Sequence, residues 1–322
     1  MLNQSYNYRD RSNLSADPLS EILGLLRPSS FGFRGLDARG DWMLVFRSAP
    51  GLKCYAVTTG SCWLGVEGAR PVRIEAGDLA LLAGDQEFRL FTSSDADPID
   101  AYEFFLAIPP GEAAVLNGGG SVSGVGGFFE FESDEGGALL SVLPPLIHIA
   151  AFATNGELMW PITRLMRELR SPQPGGALLA QHLAQALLID ALRLHLADAN
   201  ERRSGWLYAL GEPRLRTVLA AMHAEPARKW KLVDFAQLAG MSRTSFATRF
   251  SAVLGEPAIG YLTRWRMLLA ADFLRNQGQS IATVAHAVGY ESESAFGAAF
   301  RRAWGRSPRG YVQRGQDKPL GQ

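Results

Sequence analysis

The second half of the chain is written twice. Leu232-Val-Asp-Phe-Ala-Gln-Leu-Ala-Gly-Met241 lines up with Ile281-Ala-Thr-Val-Ala-His-Ala-Val-Gly-Tyr290, so Ala236 meets Ala285 and Gly240 meets Gly289 at an offset of 49 residues. Past the glycine the offset becomes 50, matching Phe246 with Phe296, Phe250 with Phe300, Gly255 with Gly305 and Tyr261 with Tyr311. A repeated pattern calls for the same supersecondary unit twice, with one residue added in the second turn.

Each copy reads as a helix-turn-helix. A short helix carries a small Ala where a partner helix crosses closely, and Gly240 or Gly289 ends it where the chain takes positive φ. Met241 and Tyr290 follow as plugs for the core. Ser242 is placed to cap the next helix, and Ser292 or Glu291 does so in the second copy. Phe246 and Phe250, like Phe296 and Phe300, stand four residues apart on one face and read as core. The opposite face is free to enter a major groove. Between the copies, Pro257 to Leu274 predicts one long helix with Ile259, Leu262, Trp265, Leu269 and Phe273 on its buried side.

Charge supports a polyanion partner only when counted by segment. The 322 residues hold 32 Lys+Arg and 32 Asp+Glu. Residues 1–205 hold 16 basic against 24 acidic residues, a balance of −8, and residues 206–322 hold 16 against 8, a balance of +8. An acidic part joined to a basic part suggests that the basic one meets nucleic acid. Hydrophobic content of 47% fits packed cores. Two cysteines make no disulfide framework, the polar stretch 1–17 lacks a secretory apolar run, and no apolar run approaches the ~18 residues of a membrane span.

Upstream of the repeat the pattern changes. Asp17-Pro18 opens a short helix bearing Leu19, Ile22, Leu23 and Leu26. From Phe31 to about Phe131 short strands are expected at Trp42–Arg47, Leu52–Val57, Cys62–Glu67, Val72–Glu75, Leu79–Leu82, Phe88–Thr92 and Glu103–Ala107, separated by glycine turns, as in a β-sandwich or small barrel. Gly118–Gly120 and the glycines near 124–127 read as a flexible crossing. Helical periodicity then predicts a hairpin, Leu158 to Leu169 and Ala177 to Leu196, broken by Ser171-Pro-Gln-Pro-Gly-Gly176. Residues 200–205 read as an exposed linker.

Ala236, Leu238, Ala239, Gly240, Met241, Ser242 and Arg243 in the first unit, Tyr261, Leu262, Arg266, Ala270 and Leu274 in the long helix, and Ile281, Val284, Ala285, Val288, Gly289, Tyr290, Ser292, Phe296, Phe300, Gly305, Ser307, Pro308 and Tyr311 in the second unit form one pattern. Over about Leu210–Arg314 it resembles the DNA-binding domain of the AraC/XylS family of bacterial transcription regulators. The resemblance implies double-stranded promoter or operator DNA as partner, a homodimer, RNA polymerase as a further partner if the protein is an activator, and a place in the cytoplasm at the nucleoid. It also implies that two helices lie in adjacent major-groove segments. Carried over, the first presents Ser242, Arg243, Thr244, Ala247, Thr248 and Arg249. The second presents Ser292, Glu293, Ser294, Gly297, Ala298, Arg301 and Arg302. Arg243 suits guanine or phosphate, and threonine hydroxyls and methyls suit base edges and thymine. Arg249 reads as a phosphate contact or a surface charge, and Glu291 and Glu293 are acids where phosphates would approach.

Glu75-Ala-Gly-Asp78-Leu-Ala-Leu-Leu82 and Leu143-Pro-Pro-Leu-Ile-His148 are similar to the cupin-like sensor domains of one branch of that family, which implies a small-molecule or stress signal. The alternative is a cupin-type enzyme fused to a DNA-binding domain. Cupin enzymes hold metal with clustered His and Glu, yet none of His148, His182, His195, His223 and His286 falls in 31–131, and Phe88 stands where relatives commonly place a His. No catalytic residue, metal or cofactor is therefore expected. Trp42, Phe46, Tyr55, Trp63, Phe88 and Phe104 are candidates to line an effector pocket or simply to be core. If Thr59-Gly60 is a hairpin turn, Cys54 and Cys62 lie about 10 Å apart at ~3.3 Å per residue, too far for a disulfide, and read as small buried apolar residues.

The expected fold is α+β and multidomain. A flexible tail (1–16) precedes a cupin-like β-barrel sensor domain (17–150). A helical hairpin for dimerisation with a linker (151–205) follows, then an all-α domain with two helix-turn-helix motifs (206–315) and a tail (316–322).

Overall fold

A computed structural model describes residues 17–25, 28–47, 51–109, 112–131, 143–151, 157–171, 173–197 and 205–316. The expected tail at 1–16, the expected tail at 316–322 apart from Gln316, and most of the linker at 200–205 lie outside the described residues; Gln316 is the last residue of a helix.

Eleven described strands form two sheets: β1 (Pro28–Ala38), β2 (Met43–Phe46), β3 (Leu52–Thr59), β4 (Ser61–Val66), β5 (Val72–Glu75), β6 (Leu79–Ala83), β7 (Phe88–Phe91), β8 (Pro98–Asp100), β9 (Ala114–Leu116), β10 (Val122–Phe131) and β11 (Leu146–Ile149). One sheet runs β11-β6-β3-β10-β1-β9 and the other β5-β4-β7-β2-β8. Tyr55, Val57, Ala80 and Leu82 of the first share a core with Leu44, Leu64, Ile74, Phe88 and Leu90 of the second, so the sheets face each other. Alternation along β4 shows the mechanism: Cys62, Leu64 and Val66 are buried while Trp63 points outward.

β3 does not alternate; Leu52 to Val57 are all buried. One face looks into the sandwich and the other lies under α3 (Met159–Arg170), which forms a helical hairpin with α4 (Gly176–Ala197). Against the expectation from the sequence, α4 is long and apolar enough by length and composition to cross a membrane. Here it packs on α3 and β11.

Four local expectations are corrected. Glu103–Ala107 is not a strand but part of helix α2 (Ala101–Leu106), because the Asp100 carboxylate accepts from the N–H groups of Tyr102 and Glu103 and starts a helix there. The glycines at 124–127 are no flexible crossing. They are the middle of β10, between β1 and β3, where a Cβ on Gly127 would stand 2.2 Å from the Gly32 carbonyl oxygen. Thr59-Gly60 is not a hairpin turn; β3 and β4 belong to different sheets and the chain changes sheet at Gly60. Ile259 is 46% exposed, whereas Leu262, Trp265, Leu269 and Phe273 are buried as expected.

The helical unit comprises α5 (Trp206–Gly211), α6 (Pro213–Ala224), α7 (Leu232–Leu238), α8 (Arg243–Leu254), α9 (Ala258–Asn276), α10 (Ile281–Ala287), α11 (Glu293–Trp304) and α12 (Pro308–Gln316). The first helix, α1 (Pro18–Leu25), capped by Asp17, groups with this unit and not with the strands. It packs on α6, with Leu19 and Ile22 buried and the Glu21 carboxylate 3.1 Å from Nδ1 of His223.

The two copies of the repeat have matching cores. Phe246 and Phe250 sit 5.4 Å apart at 52°, and Phe296 and Phe300 sit 5.5 Å apart at 56°. Tyr261 meets Phe250 edge-on at 77°, as Tyr311 meets Phe300 at 82°. Met241 and Tyr290 are half-buried, and each donates its N–H to the carbonyl five residues back, Ala236 or Ala285, at 2.9 Å.

Candidate nucleic-acid interface

Two helices, α8 and α11, each present a polar face opposite a buried pair of phenylalanines. Each begins on a serine cap. Ser242 Oγ accepts from the N–H of Ser245 at 3.1 Å and Ser292 Oγ from that of Ala295 at 3.2 Å. The two serines are therefore first of all helix caps, and the choice between Ser292 and Glu291 falls to Ser292. Each helix ends on a glycine at positive φ, Gly255 and Gly305.

On α8, Arg243, Thr244, Ser245 and Thr248 are exposed and Ala247 is half-buried. Among the described residues Arg243 has no ion-pair partner, so its guanidinium is available to a ligand. Arg249 is committed elsewhere. Its guanidinium donates to Glu212 at 2.7 and 3.1 Å and to the Tyr208 hydroxyl at 3.1 Å, which ties α8 to the α5–α6 junction. Those partners push its pKa further up.

On α11, Glu293, Ser294 and Ala298 are exposed, Gly297 is half-buried, and Arg301 and Arg302 are exposed in the last turn. Glu293 lies in the first turn, where the helix dipole favours an acid. Glu291 is bound by the Lys229 ammonium, which holds its carboxyl below the usual range. Lys229 was not visible as a site residue in the sequence, because it meets its partner 62 positions away.

The sandwich gathers most of the aromatic candidates. Phe46 stacks on Phe88 at 4.5 Å, and Tyr55 lies 5.5 and 5.3 Å from those two rings. Phe105 is 6.3 Å from Phe46 and 5.2 Å from Phe104, which α2 carries. Trp42 is buried in the same core, and its indole Nε1 has no hydrogen-bond partner among the described residues. Trp63 is removed from the group; it is 39% exposed on the outer face of β4.

The two upstream segments singled out in the sequence meet at Asp78. Its carboxylate contacts His148 Nε2 at 2.9 Å and accepts from the N–H groups of Glu75 and Ala151 at 3.0 and 2.7 Å. Cys54 and Cys62 are buried on separate sheets, and burial pushes each thiol up to about 12, so both stay protonated near neutral pH.

Two family profiles match the chain, one described as Cupin over residues 17–197 and one described as Helix-turn-helix domain over residues 235–314. The chain is similar to an AraC-like transcription regulator of Streptomyces lividans, at 38% identity over 92% of this chain and 97% of that protein. A counterpart in Streptomyces antibioticus is also 38% identical, over 92% of this chain and 98% of that one. The HTH-type transcriptional regulator AlkR of Acinetobacter baylyi is 30% identical over 92% and 99%.

Proposed function

The chain belongs to the AraC family of transcription regulators, with a cupin-like N-terminal domain and a helix-turn-helix DNA-binding domain, and from that premise we propose how it reads DNA. Helices α8 and α11 enter two successive major-groove segments of a promoter or operator. One observation carries this reading: the repeat builds two helices with the same cap, the same buried phenylalanine pair and outward faces left to solvent. Arg243, Thr244 and Thr248 read base edges, with Ala247 against a thymine methyl. Ser294 and Ala298 do so on α11, more weakly, and Arg301 and Arg302 neutralise phosphate. Ser242, Ser292, Glu293 and Gly297 shape and start the helices. Arg249 is a structural cation here, a narrower role than its sequence position implied.

Arg243→Ala and Thr248→Ala are each expected to weaken binding to a selected operator by about tenfold or more, at about 1–3 kcal/mol per base contact, and to random DNA far less. Glu293→Ala is expected to leave affinity unchanged or raised. Gel-shift titrations on both duplexes measure this, and equal losses on both would remove the base-reading role.

The protein acts as a homodimer through the α3–α4 hairpin, where Trp160 and Leu178 are 70% and 59% exposed. A small organic effector acts at the aromatic group around Phe46, Tyr55, Phe88 and Phe104, a reading supported by the Trp42 indole Nε1, which has no hydrogen-bond partner among the described residues. RNA polymerase is a further partner where the protein activates. Such a regulator works where the chromosome lies, in the bacterial cytoplasm.

A further inference from the structure

The two copies of the repeat differ in one respect that the repeat does not explain. Gly240 and Gly289 are equivalent, and both take positive φ, at 60° and 85°. A Cβ on Gly240 would meet open space. A Cβ on Gly289 would stand 2.7 Å from the carbonyl oxygen of Ala227 and 2.8 Å from its Cα. The turn of the second unit is thus pressed against residues 225–231, the loop that leads into the first unit.

That loop is itself a built object. Trp230 is buried, stacks on Phe235 at 5.1 Å and donates its indole N–H to the Glu225 carbonyl at 3.0 Å. The Arg228 guanidinium lies 3.9 Å over the Trp230 ring. From α9, Arg266 donates Nε to the Pro226 carbonyl at 2.6 Å and Nη2 to the Arg228 carbonyl at 2.9 Å. From the loop, Lys229 reaches Glu291, one residue before the cap of α11. The loop therefore touches the first unit, the long helix and the turn of the second unit.

We propose that residues 225–231 are a brace that sets the distance between the two reading helices, with Arg266, Gly289 and Lys229 as its positioning residues, so that the protein selects the spacing between two DNA segments as well as their sequence. The second unit packs on α9 through α10, α11 and α12. The loop adds two attachments from a different element, Ala227 against Gly289 and Lys229 on Glu291, while Arg266 fixes the loop itself to α9. Successive major-groove segments are about one helical turn, ~34 Å, apart, so a fixed separation is a filter on the intervening base pairs. The inference rests on the reading of α8 and α11 given above.

The full chain selects duplexes from a random library, and the selected duplex is remade with one base pair inserted or deleted between its two segments. Wild type is expected to lose about tenfold in affinity on either change. Gly289→Ala and Arg266→Lys are expected to reduce that ratio to threefold or less. Gly240→Ala strains the same backbone conformation with nothing to collide with, and should keep the ratio at about ten. A merely structural role would weaken binding to the matched and the altered duplexes alike and leave the ratio at about ten. Lys229→Ala, at an 80% exposed side chain that the fold does not need, should lower the ratio by a smaller factor and serves if the others fail to fold. Folded variants that all retain the tenfold ratio would overturn the brace. Selection of one segment by wild type would instead overturn the paired reading, and the brace with it.

Discussion

His223, on α6, ties α1 and α9 to its own helix through hydrogen bonds to Glu21 and Tyr261. The Trp206 indole donates to the Tyr261 oxygen at 3.0 Å, the Tyr261 hydroxyl is hydrogen-bonded to His223 Nε2 at 2.8 Å, and Nδ1 is hydrogen-bonded to the Glu21 carboxylate at 3.1 Å. The ring also stacks on Trp265 at 3.8 Å, and its side chain is wholly buried. Burial lowers the His223 pKa; Glu21 and Asp17 oppose this and Arg264 assists it. Below a pH of about 6.5 the unfolded chain therefore takes up a proton that the fold resists. This contribution to stability is complete above that pH and is lost as pH falls, by at most about 1.4 kcal/mol per unit. The urea midpoint of the full chain should drop between pH 7.5 and 5.5, and drop less in His223→Phe. An equal drop in both would contradict a His223 held neutral by burial. No sequence pattern showed this group, because Glu21 and His223 lie 202 positions apart.

At the scale of elements, what could be read in advance was what short-range chemistry decides. Serine caps, glycine ends and phenylalanines four apart are local, and the repeat stated each of them twice, so α8 and α11 were legible residue by residue. Tyr102-Glu-Phe-Phe105 has the aromatic content of a strand, and only the Asp100 cap makes it a helix. The β10 glycines looked like a loop because their reason is the crowding of two neighbouring strands. The pairing of α1 with α6 and the lodging of Arg249 on Glu212 are likewise long-range facts. The helical hairpin was legible as an element, and its outward residues carry a prediction. Trp160→Glu with Leu178→Glu should convert the full chain from dimer to monomer in light scattering at micromolar concentration. An unchanged dimer mass would move the contact off this face, and a wild-type monomer would remove the dimer.

For the whole molecule, zero net charge hides a basic segment after residue 205 and an acidic one before it. The structure adds that the helical unit is discontinuous in sequence, with the strand unit inserted between α1 and α5. The basic segment brings Arg243, Arg301 and Arg302 to exposed positions on the two reading helices, while Arg249 and Lys229 are spent on Glu212 and Glu291. Net charge alone overstates the cations open to phosphate, so the log–log salt slope of operator binding counts contacts at about 0.9 each. The central claim is that one chain reads two groove segments with α8 and α11, and hydroxyl-radical footprinting of the full chain on its selected duplex tests it most directly. The account predicts two protected segments per protomer, about 10 base pairs apart on one face of the duplex. A single protected segment per protomer would contradict it.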